Sequence, residues 1–368
     1  MKILSDFGER ELIKRINSLN KNLNDYKMVW DDSSPITILP NTNNVWVTTD
    51  PSPIPNLVHS LGFGNYYHSG WLLAVKSLSD LAAMGSTPLG LLISCEFKPE
   101  MRINEFDDFF KGVIDCTKNH HCKLIGGNLK ESAKYPHGVA FGIGYCAEDN
   151  ALFRGKVDPG DIIFMVDGCS AGNFWAGIAT HIFKEECKNI PNNTLKLLKE
   201  SCLKPKAYIN EGKRLLQTSS IKFCMDNSDG LLFSFSEIAR KSNVNTLITI
   251  DHDQLQKQVL NVSKICNSDP IIWALGWGSY QLVCVASSED FKVLNKLLND
   301  LDCEVMKVGI VKEGNCKVMI EHENDFYEVS DQYVLSSDQF SKYGFWKQNI
   351  DEFVKKMIKI RVDDIINK

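Results

Sequence analysis

The chain has 368 residues, with 41 Lys plus Arg against 46 Asp plus Glu and a net charge of −5. At roughly 150 residues per domain this length points to two domains, each long enough to bury its own core. Hydrophobic residues at 43% and charged residues at 24% exclude a largely disordered, collagen-like or coiled-coil chain, and the acidic balance argues against nucleic acid or an anionic membrane as partner.

In chain order, Met1–Lys21 mixes acids and bases throughout and reads as an amphipathic helix from near Ser5 rather than a signal peptide. No apolar run approaches the length of a membrane span, so a cytoplasmic location is expected. Asn44–Asp50 is rich in Val and Thr and predicts a strand. Ser69–Met84 carries apolar residues at helical spacing, with Gly85 as its stop. Leu89–Phe97 predicts a strand. Asn104–Asn119 predicts an amphipathic helix with Phe106, Phe109, Phe110 and Val113 on one side. Lys123–Gly126 and Val139–Cys146 read as strands around the turn sequence GGNLKESAKYPHG. This order predicts an α+β domain with two helices over one face of a sheet.

A turn cluster, RGKVDPGD, lies in the break near Asp149–Asp161, where the domain boundary is placed. Beyond it come a strand at Ile162–Val166, two helices, and a short strand before MDNSDG. Helix Leu231–Lys241, strand Thr246–Ile250, strand Gln281–Ala286 and helix Glu289–Leu301 follow. Val305–Val311 and Lys317–Ile320 close the domain, and Asp351–Lys368 reads as a surface helix. The expected divisions are 1–150, 151–345 and a helical tail at 346–368. The 12 cysteines form no CxxC pair, and read as small core or surface thiols of a reducing compartment.

Several aspartates stand where aspartate is locally odd. Asp31 and Asp32 are adjacent, Asp50 ends a strand, Asp80 interrupts an apolar helix, and Asp226 and Asp229 bracket a turn. Each has an ordinary alternative: a solvated loop for Asp31 and Asp32, the turn before Pro51 for Asp50, a helix N-cap for Asp229. Asp80, among Leu78, Leu81 and Met84, needs a partner, and Lys76 four residues earlier is one candidate. Together these carboxylates suggest hard-cation binding, as Mg2+ favours carboxylate and phosphate oxygens. There is no Walker A loop and no protein-kinase catalytic-loop motif, so a nucleotide site here is of another kind.

Five segments occur in the order and spacing of thiamine-monophosphate kinase: VTTD (Val47–Asp50), SLSDLAAMGSTPLGL (Ser77–Leu91), LIGGN (Leu124–Asn128), ALFRGKVDPGD (Ala151–Asp161) and MDNSDGL (Met225–Leu231). The sequence thus resembles that family, within the superfamily of aminoimidazole ribonucleotide synthetase (PurM) and selenophosphate synthetase, from about Asp31 to Gly309. The resemblance implies a two-domain PurM-like fold. The N-terminal αβ domain would form a barrel shared by a homodimer, and the C-terminal αβ domain would hold a mixed sheet. It implies ATP and Mg2+ as cofactors. Asp32, Thr48, Thr49, Asp50, Asp80, Asp226 and Asp229 match positions that hold Mg2+ around the ATP phosphates, with Asp80 and Asp229 expected to be catalytic. Gly127, Asn128, Arg154 and Ser228 match nucleotide-contacting positions. Arg154 also has the plain reading of an exposed loop arginine.

Three departures stand out. The family's GGD is GGN here, ending at Asn128. Its GGEDYEL is GWGSYQL, Gly276–Leu282, which places Trp277, Ser279 and Tyr280 on the expected acceptor side, where the two aromatic residues stack on a planar ring or pack in the core. The acid before the Gly-Trp pair is His68, and no histidine, His59 included, aligns with the family's substrate histidine. The donor half looks kept and the acceptor half rebuilt. The expected activity is transfer of the ATP γ-phosphoryl group to a small-molecule acceptor that differs from thiamine monophosphate or equals it. The alternatives are a synthetase or dehydratase that activates an amide or carbonyl oxygen, and a non-catalytic nucleotide-binding protein.

Overall fold

The computed structural model describes residues 43–132, 134–147, 151–299, 304–337 and 349–367, with 15, 18 and 19. The expected N-terminal helix and the pair Asp31 and Asp32 lie outside the described residues. The chain divides into two units: one takes in the described residues up to Ala151 and returns for Leu203–Ile209, and the other holds Leu152–Cys202 and everything from Asn210 onward.

The first unit holds a four-stranded sheet of order β1-β4-β2-β3, from β1 (Asn43–Pro53), β2 (Thr87–Phe97), β3 (Leu124–Glu131) and β4 (His137–Ala147). Pairing is antiparallel except for β2 with β3. That parallel pair corrects the sequence reading of GGNLKE as a turn: Gly127 lies opposite Ile93 and Asn128 opposite Ser94. Two adjacent glycines weaken a strand's local signal, but β2 supplies the hydrogen-bonding partner that sequence alone does not reveal.

Three helices complete this unit: α1 (Leu57–Ser60), α2 (Tyr66–Ala83) and α3 (Ile103–Asn119). Helix α2 begins earlier than its apolar spacing predicts, because the backbone N–H of Asn65 donates to Nδ1 of His68 at 3.2 Å, the reciprocal arm of a capping box. His68 is thus a helix-capping residue. At the other end Gly85 adopts φ +70°, and Ser86 N donates to Leu81 O at 2.9 Å, closing a Schellman turn. The predicted phenylalanine face of α3 is fully buried, with Phe106 and Phe109 edge-on to Phe97 of β2. Helices α2 and α3 approach so closely that a Cβ on Gly70 would lie 1.9 Å from Phe109 O, and one on Gly112 1.9 Å from Tyr67 O. The returning segment docks here: Trp71 Nε1 donates to Pro205 O, and Ala207 N donates to His120 Nε2, each at 2.9 Å.

The second unit is built on a seven-stranded sheet of order β11-β10-β7-β9-β5-β8-β6. Its strands are β5 (Ile162–Val166), β6 (Phe223–Asp226), β7 (Asn245–Ile248), β8 (Leu282–Ala286), β9 (Val305–Lys312), β10 (Val318–His322) and β11 (Asp325–Glu328). Only β7 with β10 is parallel. β5, β6 and β8 are buried along their whole length, as their unbroken apolar runs require. Helices α4 (Asn173–Ile182), α5 (Asn192–Leu203), α6 (Ile209–Leu216), α7 (Leu231–Ser242), α8 (Lys257–Ile265), α9 (Pro270–Leu275), α10 (Ser288–Asn299) and α11 (Asp331–Val334) are threaded between the strands.

The C-terminal tail is a second correction. Rather than lying on the surface, α12 (Ile350–Lys359) and α13 (Val362–Ile365) bury Phe353, Val354, Ile358, Val362 and Ile365. Trp273 Nε1 donates to Ile358 O at 3.3 Å, and Ile366 bridges Val329. Alternating charge masked a narrow apolar stripe that has a hydrophobic groove to fill. The described cysteines are free thiols, most of them buried.

Candidate functional site

In the first unit the candidate residues cluster on β1 and the helix beside it. Thr48 and Asp50, two apart on a strand, share the face turned to α2, and Thr49 is exposed on the other. Thr48 Oγ1 lies 2.7 Å from Ser77 Oγ and 3.0 Å from Ser77 O. Lys76 Nζ is 2.6 Å from both Asp50 Oδ1 and Pro51 O. The lysine considered for Asp80 thus reaches across to the strand, a pairing of residues 26 apart in sequence that no helical spacing rule finds. Burial raises the pKa of Asp50 above its ordinary value, and the Lys76 ammonium opposes that rise. Asp80 lies half-buried one turn beyond Lys76 on α2. Gly127 is half-buried and Asn128 exposed, side by side on β3.

Close by, Ser69 Oγ accepts from Asn56 N at 3.2 Å and lies 3.2 Å from His59 Nδ1. The hydroxyl hydrogen is thereby free for Nδ1. Burial lowers the His59 pKa, which favours the neutral ring.

The second unit carries the other group on the loop after β6. Asp226 is 5% exposed, and Ser228 Oγ donates to its Oδ1 at 3.0 Å. Asp229 is exposed at the rim of a cleft lined by Leu232, Phe233, Ile272, Trp277, Tyr333 and Met357. Arg154 is exposed, 3.7 Å from Glu237 Oε2 on α7, in a segment bridged to Phe223. Its position suits a cation that exchanges a loose carboxylate partner for a phosphate.

The rebuilt GWGSYQL segment folds against this loop. Trp277 meets Trp175 edge-on at 5.2 Å and Phe174 at 5.8 Å, and Tyr280 is 6% exposed. Ser279 Oγ accepts from Asn227 Nδ2 at 2.9 Å. Gln281, 1% exposed, donates from Nε2 to Asp167 O and to Ser170 Oγ, each at 2.9 Å. Ser77, Asn227 and the pairing of Lys76 with Asp50 in place of Asp80 are what sequence reasoning missed. A small amide between two acids was the one local sign for Asn227.

Oxygen donors alone are on offer at these positions, which fits Mg2+ and not a thiophilic metal. Among the described residues no group of three or more His, Cys, Asp or Glu is preassembled to hold an ion.

Asp50 lies inside β1, which runs on to Pro53, and not at a strand end as the sequence suggested, whereas Asp226 does end β6. Residues 30–146 match the family described as AIR synthase related protein, N-terminal domain, and over most of its length the chain is similar to thiamine-monophosphate kinases. It is 27% identical over 315 residues to the thiamine-monophosphate kinase of Aquifex aeolicus, covering 85% of this chain and 94% of that one. Among solved structures, thiamine-monophosphate kinase from Stenotrophomonas maltophilia superposes with a TM-score of 0.70 at 22% identity, covering 87% of this chain and 98% of that one. AaThiL complexed with AMPPCP and TMP superposes at 0.63 and 23% identity, covering 89% and 99%.

Proposed function

We propose that this chain is an ATP-dependent phosphotransferase that moves the γ-phosphoryl group of ATP to a small-molecule acceptor, with thiamine monophosphate the first to test. The observation that carries the reading is the presence of Asp50, Asp80, Asp226, Ser228 and Asp229, in motifs that resemble those of thiamine-monophosphate kinase, in a chain similar to one such kinase over 94% of its length. The AaThiL complex with AMPPCP and TMP supports both a nucleotide and a phosphate acceptor in this fold.

Asp32, Thr48, Thr49, Asp50, Asp80, Asp226 and Asp229 are the residues that would hold Mg2+. The ion, when bound, neutralises phosphate charge and aligns donor and acceptor oxygens. Lys76 pairs with Asp50 Oδ1 at 2.6 Å and holds it toward α2, and Ser228 fixes one carboxylate oxygen of Asp226. Gly127 lets backbone approach the nucleotide, Asn128 offers an uncharged oxygen, and Arg154 clamps a phosphate. A phosphate acceptor is already anionic, so no general base is needed.

Pairing as a homodimer fits the outer face of the first sheet. Val45 and Val47 are 45% and 64% exposed on β1, and Thr49, Phe141 and Leu92 continue an incompletely covered row across β4 and β2. A second copy laid on this face would complete the barrel.

The experiment is a screen for ADP release with phosphorylated and carboxamide metabolites, thiamine monophosphate among them, at saturating Mg2+. Calorimetry that finds no ATP binding with or without Mg2+ overturns the proposal.

A further inference from the structure

The loop after β6 is held from beneath by side chains of the GWGSYQL segment. Asn227 is 0% exposed. Its Nδ2 donates to Ser279 Oγ at 2.9 Å, its backbone N to Gln281 O at 2.8 Å, and its Oδ1 lies 3.5 Å from Ser234 Oγ. Gly278 N reaches Ser228 O at 3.4 Å. Gln281 in turn anchors its own side chain on Asp167 and Ser170, at the end of β5. The ends of β5, β6 and β8 are therefore stitched together by amides and hydroxyls, with Asp226 and Ser228 on either side of the buried Asn227.

We infer that Asn227 is a positioning residue for the Asp226, Ser228 and Asp229 oxygens, and that Ser279 serves Asn227 and not the acceptor. The inference rests on the proposal that these oxygens face Mg2+ and the ATP phosphates. The physical reason is geometric. A turn of four polar residues keeps two carboxylates at a fixed separation only if its backbone is tied down, and a buried amide with both ends occupied does this without adding charge. The side chain of Ser279 has a single polar atom, Oγ, which lies 2.9 Å from Asn227 Nδ2. In accepting from Asn227 it turns toward the loop.

The test begins with wild-type protein titrated with AMPPCP at graded Mg2+ in a calorimeter. Absence of Mg2+-dependent binding refutes the functional proposal itself, whatever Asn227 does. With binding established, Ser279→Ala and Asn227→Ala raise the Mg2+ concentration for half-maximal AMPPCP binding by about 10- to 100-fold. The double variant is no worse than Asn227→Ala alone, because that substitution already removes the bond to Ser279. Ser279→Thr, which keeps the hydroxyl, restores the wild-type value. Amide hydrogen exchange without metal shows faster exchange at Asn227 and Gly278 in both alanine variants, with the sheet amides unchanged. Ser279→Ala alone decides the matter if Asn227→Ala does not fold. An unchanged Mg2+ requirement with a raised KM for thiamine monophosphate overturns the inference and returns Ser279 to the acceptor.

Discussion

Asp226 and Asp80 carry the sharpest expectations at the scale of single side chains. Asp226→Asn keeps shape and one acceptor for Ser228 Oγ but removes a charge. Turnover should fall on the order of 100-fold or more, the scale on which one charge-stabilising group acts. Asp80→Asn should do the same, with thermal unfolding little changed in both. A steady-state assay beside a melting curve separates loss of chemistry from loss of fold. His59 gives a pH signature. Its folded pKa lies below the ordinary 6.5, so the unfolded chain binds the proton more readily. The stability this contributes is complete above pH 6.5 and is lost as pH falls through the folded value. His59→Gln should flatten that part of the stability profile, measured by urea unfolding from pH 7.5 down to pH 5. Legibility at this scale was uneven. Asp50 and Asp226 could be singled out because an acid in or at the end of an apolar strand is odd. The Lys76 pair and the Asn227 clasp could not, since each joins segments that meet only in three dimensions.

Elements are set by their caps, crossings and grooves. The α2–α3 crossing depends on Gly70 and Gly112, because a methyl at either position meets a carbonyl oxygen of the facing helix at 1.9 Å. Gly112→Ala should cost at least about 1–3 kcal/mol by forcing the helices apart, read as a lower denaturant midpoint. Phe353→Ala should cost about 3–5 kcal/mol, a value a surface tail would not show. Spacing made α2, α3 and β5 legible, since their apolar residues recur with a period that fits one structure. It misread β3 and the tail. Two glycines hide a strand whose hydrogen bonds come from a distant partner, and alternating charge hides a stripe whose groove is built from Trp273 and its neighbours.

For the whole molecule, the open face of the first sheet sets the test. Val47→Glu places a charge on the exposed row of β1 and should convert a dimer to a monomer at micromolar concentration by analytical ultracentrifugation. The row predicts this because monomers rarely leave a broad apolar sheet face to water.

Periodicity and punctuation were enough to give the sequence its αβ character and its acidic candidates, because these depend on neighbours within a turn or a strand, and the order of short motifs gave its resemblance to thiamine-monophosphate kinase. Which oxygen meets which donor was decided by tertiary structure alone. Lys76 meets Asp50, Ser279 meets Asn227 and Ile358 meets Trp273 because packing brings distant segments within about 3 Å, a distance that chain order does not encode.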